Sequence, residues 1–342
     1  MGYRVFAVPV VSLAKGCGSL AVRNFRLDCF DGSLSQRMSP QEWRRTLILR
    51  NHPRFFDGLF KYDELIPDYF AHNLVLNRVV TEAWRFEMLV YALHLHDTRD
   101  PADPRTGLTA GRLQALCAAN VCASPGRVLA ILGIMQLAGY LKRVRSTIDS
   151  RIVHLVPSNH FVAIVEGWNG AILHIIDAIS PADALARDYA ARPRFGQDMR
   201  QLGAETVIGG WKLLDPFPEV AHFISRDGGW MLLLRCVALA LAPSAGAEIA
   251  PVSLALDTFG KTFGVSRSHL RRVLESAYAA GLLEAPPRNG ADIRLAPHLV
   301  ASFLACMASE LGNYRLWALE VQRRPGYDRT KFPATSEPCA TP

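Results

Sequence analysis

Cysteine is scarce in this sequence, and the few cysteines form no recognisable framework. The 342 residues contain seven cysteines, an odd number without regular spacing: Cys17, Cys29, Cys117, Cys122, Cys236, Cys306 and Cys339. No CxxC pair and no Cys/His zinc pattern occurs, so a fold built on disulfides or zinc is not expected. Glycine-rich phosphate loops and the GxSxG, HExxH and paired-carboxylate motifs are also missing. The sequence therefore predicts no enzyme class, no metal and no cofactor.

Long apolar runs are lacking as well. No uninterrupted apolar stretch approaches the roughly 18 residues that cross a bilayer, and residues 5–14 are more typical of a short β-strand than of a signal peptide. Charged residues make up 20% of the chain and aromatic residues 9%, which argues against wholesale disorder. These features favour a globular protein in the reducing cytoplasm, with no membrane partner.

The charge balance is mildly basic and uneven along the chain. The net charge is +7, from 38 Lys and Arg against 31 Asp and Glu. Residues 160–230 nevertheless contain six basic and nine acidic residues, so the positive charge lies on both sides of this segment. Localised basic patches are typical of proteins that bind polyanions such as nucleic acids.

The chain contains an internal repeat. Residues 122–141 align with residues 264–283, and Ser124, Leu132 and Gly139 fall on Ser266, Leu274 and Gly281. Downstream, residues 154–157 align with 294–297; upstream, residues 53–55 align with 193–195. Because order and spacing are kept over such a distance, we interpret the chain as two copies of one unit. The predicted organisation is an N-terminal extension (1–39), a first unit (40–160), a connecting helix (161–179), a second unit (180–322) and a disordered tail (323–342).

Each unit has the same predicted order of elements. In the first, a helix through Leu76, Val80 and Trp84 precedes a loop at 97–107 and a helix from Thr109 to about Ala119. A turn then leads to a second helix with Ser124 and Pro125 at its start, a hairpin over 141–156 and a helix from residue 161. In the second unit, we predict helices at 230–241, 251–262, 266–280 and 297–322, with a loop at 242–248 and a hairpin at 282–295.

Two short helices, a tight turn and a β-hairpin form a winged helix-turn-helix, which places its second helix in the major groove of DNA and its wing on the backbone. The stripe that contains Leu270 and Leu274 is apolar, so Ser268, Arg271, Arg272 and Glu275 point away from it. Arginine grips guanine through two hydrogen bonds. The predicted DNA-binding residues of this helix are Ser266, Arg267, Ser268, His269, Arg271 and Arg272. A solvated basic face on an ordinary helix is the alternative.

With these features, the chain resembles the MarR-like winged-helix transcriptional regulators, with two units fused in tandem. The resemblance covers residues 70–180 and 215–320 and includes Asp149 and Arg151, which look like that family's Asp-x-Arg wing. It implies a mainly α fold with small β-hairpin wings, with Arg151 in or beside the minor groove and Asp149 orienting it. Family members dimerise to read two-fold sites, so two fused units imply a pseudo-dimer within one chain.

The two units are not equivalent. The outward positions of the first unit's second helix are Gly126, Leu129, Ala130 and Gly133. Their side chains have no hydrogen-bond donor, so Arg127, which aligns with His269, is the base contact predicted on this helix. This unit's wing is the more basic one and adds the predicted contacts Lys142, Arg143, Arg145 and Arg151; Arg294 is the contact predicted on the second wing. We expect one unit that reads bases and one that grips phosphates or packs against protein.

Two other pairs of residues have both a functional and a purely structural interpretation. His94 and His96 diverge by about 200° on a helix, so helix-end capping is favoured over a shared metal ion. Cys117 and Cys122 fall in the first helix-turn-helix, where small apolar core residues are favoured over a redox sensor.

Three functions remain open: a transcriptional regulator that binds double-stranded DNA, a plasmid-type replication initiator with two winged helices, and a winged-helix module that binds proteins. A small-molecule effector and another protein remain open as further partners. We expect a monomer or weak dimer.

Overall fold

The computed structural model describes residues 27–71, 83–120, 122–242, 248–288 and 290–324. Within them the chain has fourteen α-helices and one two-stranded antiparallel sheet, which confirms the predicted mainly helical class. The first elements are α1 (Asp31–Ser35), α2 (Pro40–Arg50), α3 (Phe55–Ala71), α4 (Ala83–Asp97), α5 (Ala110–Ala119), α6 (Pro125–Leu137), β1 (Leu141–Arg145), β2 (Val153–Pro157) and α7 (Asn159–Ile179). They are followed by α8 (Leu185–Ala191), α9 (Phe195–Ile208), α10 (Pro218–Ile224), α11 (Gly229–Ala240), α12 (Leu256–Phe263), α13 (Arg267–Ala279) and α14 (Pro297–Arg323). Two 3-10 turns occupy Leu27–Phe30 and Pro181–Asp183.

Some predictions lie outside the described residues. These are the strand at 5–14, the helical positions Leu76 and Val80, most of the 242–248 loop, and the tail after residue 324.

Helices α5 and α6 begin and end where their local signals predict. The Thr109 hydroxyl accepts a hydrogen bond from the Arg112 amide at 3.2 Å and so caps α5. Ser124 occupies the cap position of α6, although its side chain makes no capping hydrogen bond, and Pro125 follows in the first turn. Gly139 has a φ of +75°, the left-handed conformation that ends many helices.

The second half departs from prediction in two places. The helix predicted from residue 251 begins only at Leu256, because Val252 exchanges two backbone hydrogen bonds of 2.8 Å with Ile293. The hairpin predicted over 282–295 consists of isolated bridges instead of continuous strands. Pro286 and Pro287 lie between its two sides and donate no backbone hydrogen bonds, which shortens the ladder.

The order of elements from α4 to α7 recurs from α11 to α14. In both series, a residue ahead of the first short helix bonds to the second side of the hairpin: Leu155 donates to Leu108 at 2.9 Å, and Val252 pairs with Ile293. The two segments that begin Pro-Arg-Phe also agree, since Phe55 and Phe195 start α3 and α9 and both are buried.

Two hydrophobic cores hold the described residues together. The smaller core joins α4, α5, α6, the sheet and the first turns of α7, with Val207 of α9 added. The larger core joins α1 to α3, the rest of α7 and the helices from α8 to α14. Helix α2, which the sequence places in the first unit, packs on α14 of the second, whereas α3 packs mainly on the connecting helix α7 and also contacts α11. The predicted unit boundaries themselves stay predictions.

Packing between the two element series is reciprocal. Helix α2 packs on α14, as α8 packs on α7; helix α3 packs on α7, as α9 packs on α14. In the same way, α3 contacts α11 and α9 contacts α4. Each of these contacts in one series therefore has a counterpart in the other.

One helix in the described part of the chain, α7, is long and apolar enough to cross a membrane by length and mean hydropathy. It contains Glu166 and Asn169, so its apolar character is not an uninterrupted run. Its buried residues, among them Ile172, Ile175 and Ile176, belong to the larger core.

Candidate nucleic-acid interface

Helix α13 presents a polar, basic face to solvent. Its cap is Ser266, whose hydroxyl accepts a hydrogen bond from the His269 amide at 3.2 Å. Leu270, Val273, Leu274 and Ala277 are buried in the larger core. Because these residues anchor one side, the residues on the other side are exposed: Ser268, Arg271, Arg272 and Glu275.

A three-residue turn joins α12 to α13. The Val265 amide donates to the Gly260 carbonyl at 2.9 Å. A Cβ on Gly260 would lie 2.4 Å from the Val265 carbonyl oxygen, so only glycine allows this approach. Gly264 has a φ of +69°. These two glycines bring α13 close against α12 and fix the direction of its exposed face.

The arginines of α13 differ in their partners. The Arg267 guanidinium lies 3.1 Å from Asp257, and the Arg271 guanidinium lies 3.3 Å from Glu275. Arg272 instead donates to the Ser268 carbonyl at 3.4 Å, a neutral acceptor. An arginine that is paired with a carboxylate must exchange that partner for a base, whereas Arg272 meets no carboxylate among the residues that the structure describes. Arg272 is therefore the best placed of the three to engage an anionic or acceptor-rich ligand.

His269 is held in the first turn of α13. Its Nε2 atom lies 3.0 Å from the carbonyl oxygen of Asp227, in the segment that precedes α11. With Nε2 donating, Nδ1 is left free for a further contact when the ring is neutral. Ser266 and Ser268 also lie close together, with 3.1 Å between their hydroxyl oxygens. These polar groups surround the positive end of α13.

The first hairpin carries its cations on one strand. In β1, Lys142, Arg143 and Arg145 are exposed, and β2 pairs with β1 in antiparallel register from Leu141 opposite Pro157. Near the tip of the hairpin, the Arg151 guanidinium donates two hydrogen bonds to the Asp149 carboxylate, from Nε at 3.0 Å and from a terminal nitrogen at 2.9 Å. The Arg151 side chain lowers the pKa of Asp149 to about 2. Asp149 thus holds the guanidinium of Arg151 in one direction.

The second hairpin does not follow the sequence alignment. Leu295 lies opposite Leu283, just as Pro157 lies opposite Leu141, so residues 154–157 correspond to 292–295 and not to 294–297. Arg294 therefore occupies the position of Val156, near the base of the hairpin. Its Nε donates to Asp292 at 3.0 Å, which repeats the Asp-x-Arg pair at another place on a hairpin.

Helix α6 differs from α13 in its exposed face. Arg127, its single cation, lies over the ring of Trp84 with 5.8 Å between the guanidinium carbon and the ring centroid. The exposed apolar residues here are Leu129, Ile134 and Leu137 on α6 and Val144 and Ile148 on the hairpin. We call these five residues the apolar surface. Leu137 is 91% exposed.

No metal cluster supports the pair of histidines at the end of α4. Within the described ranges, no group of three His, Cys, Asp or Glu side chains is arranged to hold a metal ion. Burial lowers the pKa of both His94 and His96. The adjacent Asp97 instead pairs with Arg200 of α9 at 3.1 Å, and Arg200 also pairs with Glu166. This network joins α4, α7 and α9, and no spacing in the sequence indicates it.

Comparisons with protein-family models, with curated proteins and with solved structures find no match to this chain.

Proposed function

We propose that this chain is a sequence-specific regulator of transcription that binds double-stranded DNA, with two winged helix-turn-helix units in one pseudo-dimeric chain. The observation that carries the proposal is the exposed basic face of α13, directed outward by its buried stripe and its glycine-bounded turn. A helix of this kind fits the major groove, which is wide enough to admit it. A cytoplasmic location is part of the proposal.

The wings supply the contacts that do not depend on sequence. Lys142, Arg143 and Arg145 are exposed on one strand, with one neutral residue among them. Cations so close together on a strand suit contact with the phosphate backbone of DNA. Arg151 and Arg294 are each held by an aspartate two residues earlier, which fixes the guanidinium in one direction. We assign base reading to α13 and backbone contact to the first hairpin.

Binding-site selection from random duplexes tests this proposal. The wild-type chain is expected to enrich a reproducible motif with one well-defined half, read by α13, and one poorly defined half on the side of α6. Selection that returns duplexes without a common motif would contradict sequence-specific binding.

Replacing Arg143 with Ala should weaken binding to all duplexes alike. Each phosphate contact releases about one counterion, so the slope of log K against log salt should fall in magnitude by about one. Arg54→Ala is the matched control, because it removes one exposed cation just before α3 that already pairs with Asp57 at 2.9 Å. Equal effects of the two substitutions in a fluorescence titration at graded salt would contradict a backbone role for the hairpin.

The chain should act as a monomer or weak dimer, because the second unit supplies the two-fold partner that single-unit regulators obtain by association. Light scattering at low micromolar concentration should give a mass near 37.7 kDa. A stable species of twice that mass would contradict the pseudo-dimer.

A protein-binding module is the second candidate, and the apolar surface on α6 and the hairpin favours it. These residues are exposed, and α6 contacts β1. Exposed apolar patches often mark interaction sites. In that case the chain should show no affinity for duplex DNA, and Leu137→Glu should abolish binding of the protein partner without lowering the melting temperature.

A further inference from the structure

The turn between α10 and α11 lies against one side of α13. One contact joins the Asp227 carbonyl oxygen to Nε2 of His269, at 3.0 Å. A second contact comes from the Arg226 guanidinium, which donates to the Ser276 hydroxyl oxygen at 3.0 Å. His269 and Ser276 are about two helical turns apart, and Arg272 lies between them on the same side of the helix. The turn therefore runs beside the strip of α13 that carries Arg272.

Hydrogen bonds fix Arg226 at both its backbone and its side chain. Its amide donates to the Phe223 carbonyl at 3.0 Å, and its carbonyl accepts from the Gly229 amide at 2.9 Å. The Ser276 hydroxyl, which accepts from Arg226, also lies 3.3 Å from Nε2 of His222 in α10. Burial, and then the charge of Arg226, lowers the pKa of His222, so this ring is neutral and Nε2 can accept the hydroxyl proton. The guanidinium is thus held in one direction along α13.

The partners of Arg226 are all neutral. Besides Ser276, its guanidinium donates to the Ser225 hydroxyl oxygen at 3.2 Å and to the His222 carbonyl oxygen. None of the carboxylates that the structure describes pairs with it. Arg272, one helical turn before Ser276, likewise meets a backbone carbonyl and no described carboxylate. Two arginines without carboxylate partners on one strip attract a polyanion to that strip.

The corresponding strip of α6 is apolar. In the repeat alignment, Ile134 takes the place of Ser276 and Ala130 takes the place of Arg272. Both residues lie in a regular helix of the same length as α13, so the fold does not require polar side chains at these positions. The polar strip occurs in the series whose helix has the exposed basic face.

We propose that Arg226 binds a phosphate of the DNA backbone beside the groove that α13 occupies, and that Ser276 positions its guanidinium. The inference rests on the proposed function and adds a contact from outside the helix-turn-helix and the hairpins. Arg226 is partly exposed, and its guanidinium keeps N–H donors that the protein does not use. Arginine binds a phosphate through two parallel hydrogen bonds. Such a contact fixes the register of a reading helix on the duplex.

A salt titration of Arg226→Gln tests the proposal on the duplex recovered by binding-site selection. The slope of log K against log salt should fall in magnitude by about one, and the affinity at about 0.1 M salt should fall roughly five- to tenfold. The preference for this duplex over unrelated ones should stay the same, because a phosphate carries no sequence information. Arg323→Gln is the matched control, since it removes an exposed cation of α14 that lies 3.7 Å from Glu320. An effect of Arg226→Gln no larger than that of the control would overturn the proposal.

Ser276→Ala tests the positioning role without removing the cation. The affinity should fall by less than in Arg226→Gln, while the slope against salt stays near the wild-type value. In the Arg226→Gln background, Ser276→Ala should have no further effect, because Ser276 then has no guanidinium to direct. Equal losses in both backgrounds would overturn the role assigned to Ser276. Thermal melting of each variant shows that the comparison is made between folded chains.

Duplexes with single methylphosphonate groups locate the contact. Each of these groups replaces one charged phosphate oxygen with a methyl group. Placed in turn along the selected site, the substitution should weaken the wild type at one position where it leaves Arg226→Gln unaffected. Equal losses for the two proteins at every position would overturn the proposal alone. A wild-type chain that binds no duplex would overturn the proposed function and this inference together.

Discussion

Replacing Arg272 with Ala is expected to lower affinity for the selected duplex by about 5- to 150-fold, while binding to unrelated duplexes changes little. An arginine that makes two hydrogen bonds to guanine contributes about 1–3 kcal/mol of discrimination. Arg272 carries this expectation because its nitrogen meets a backbone carbonyl, whereas the neighbouring Arg271 is paired with Glu275. Affinities of the variant for the selected and unrelated duplexes, measured at one salt concentration, give the ratio.

Arg127→Ala is the informative counterpart. Arg127 stacks on Trp84 and its helix exposes mainly apolar residues, so this substitution should leave sequence preference intact. If Arg127→Ala erased the preference and Arg272→Ala preserved it, base reading would belong to α6 and our assignment would be wrong.

Replacing Glu310 with Gln is expected to raise the free energy of unfolding at pH 8 by about 2 kcal/mol. Burial raises the pKa of Glu310 to about 7, although the Tyr62 hydroxyl donates to its carboxylate at 3.2 Å. A shift from the usual 4.5 corresponds to about 3 kcal/mol, and partial exposure of the side chain reduces this figure. The amide oxygen of Gln can still accept from Tyr62, so the hydrogen bond survives while the cost of a buried charge disappears.

The sign of the pH dependence follows from the raised pKa. Below about pH 4.5 the carboxyl is protonated in both the folded and the unfolded chain, and its contribution is constant. Between about 4.5 and 7 only the unfolded chain has released the proton, so the stability of the wild type falls as pH rises. Urea unfolding at pH 5 and pH 8 should show that Glu310→Gln removes much of this fall. Glu320→Gln, an exposed residue of the same helix, should not.

Local signals predicted helices α5 and α6 well. Thr109 caps α5, and Gly139 ends the second helix with a positive φ, because cap and terminator chemistry acts within a few residues. The same reasoning extended α12 too far, since a long-range pair between Val252 and Ile293 holds the preceding segment extended.

The interface was only partly predictable. The outward face of α13 follows from the spacing of Leu270 and Leu274, but the pairing of Arg267 with Asp257, ten residues away, depends on how α12 and α13 pack. The predicted correspondence between the two hairpins was wrong, because the sequence alignment matched Pro157 with Pro297. Backbone pairing of Leu295 with Leu283 places the correspondence two residues earlier. The contacts of α2 with α14 and of α8 with α7 leave no mark on the sequence pattern.

The salt dependence of binding tests the central claim most directly. In a titration of the intact chain with a labelled duplex at graded salt, contact with about six phosphates predicts a slope of log K against log salt near −5. Binding that is undetectable, or that does not change with salt, would contradict the account of this chain as a protein that binds double-stranded DNA.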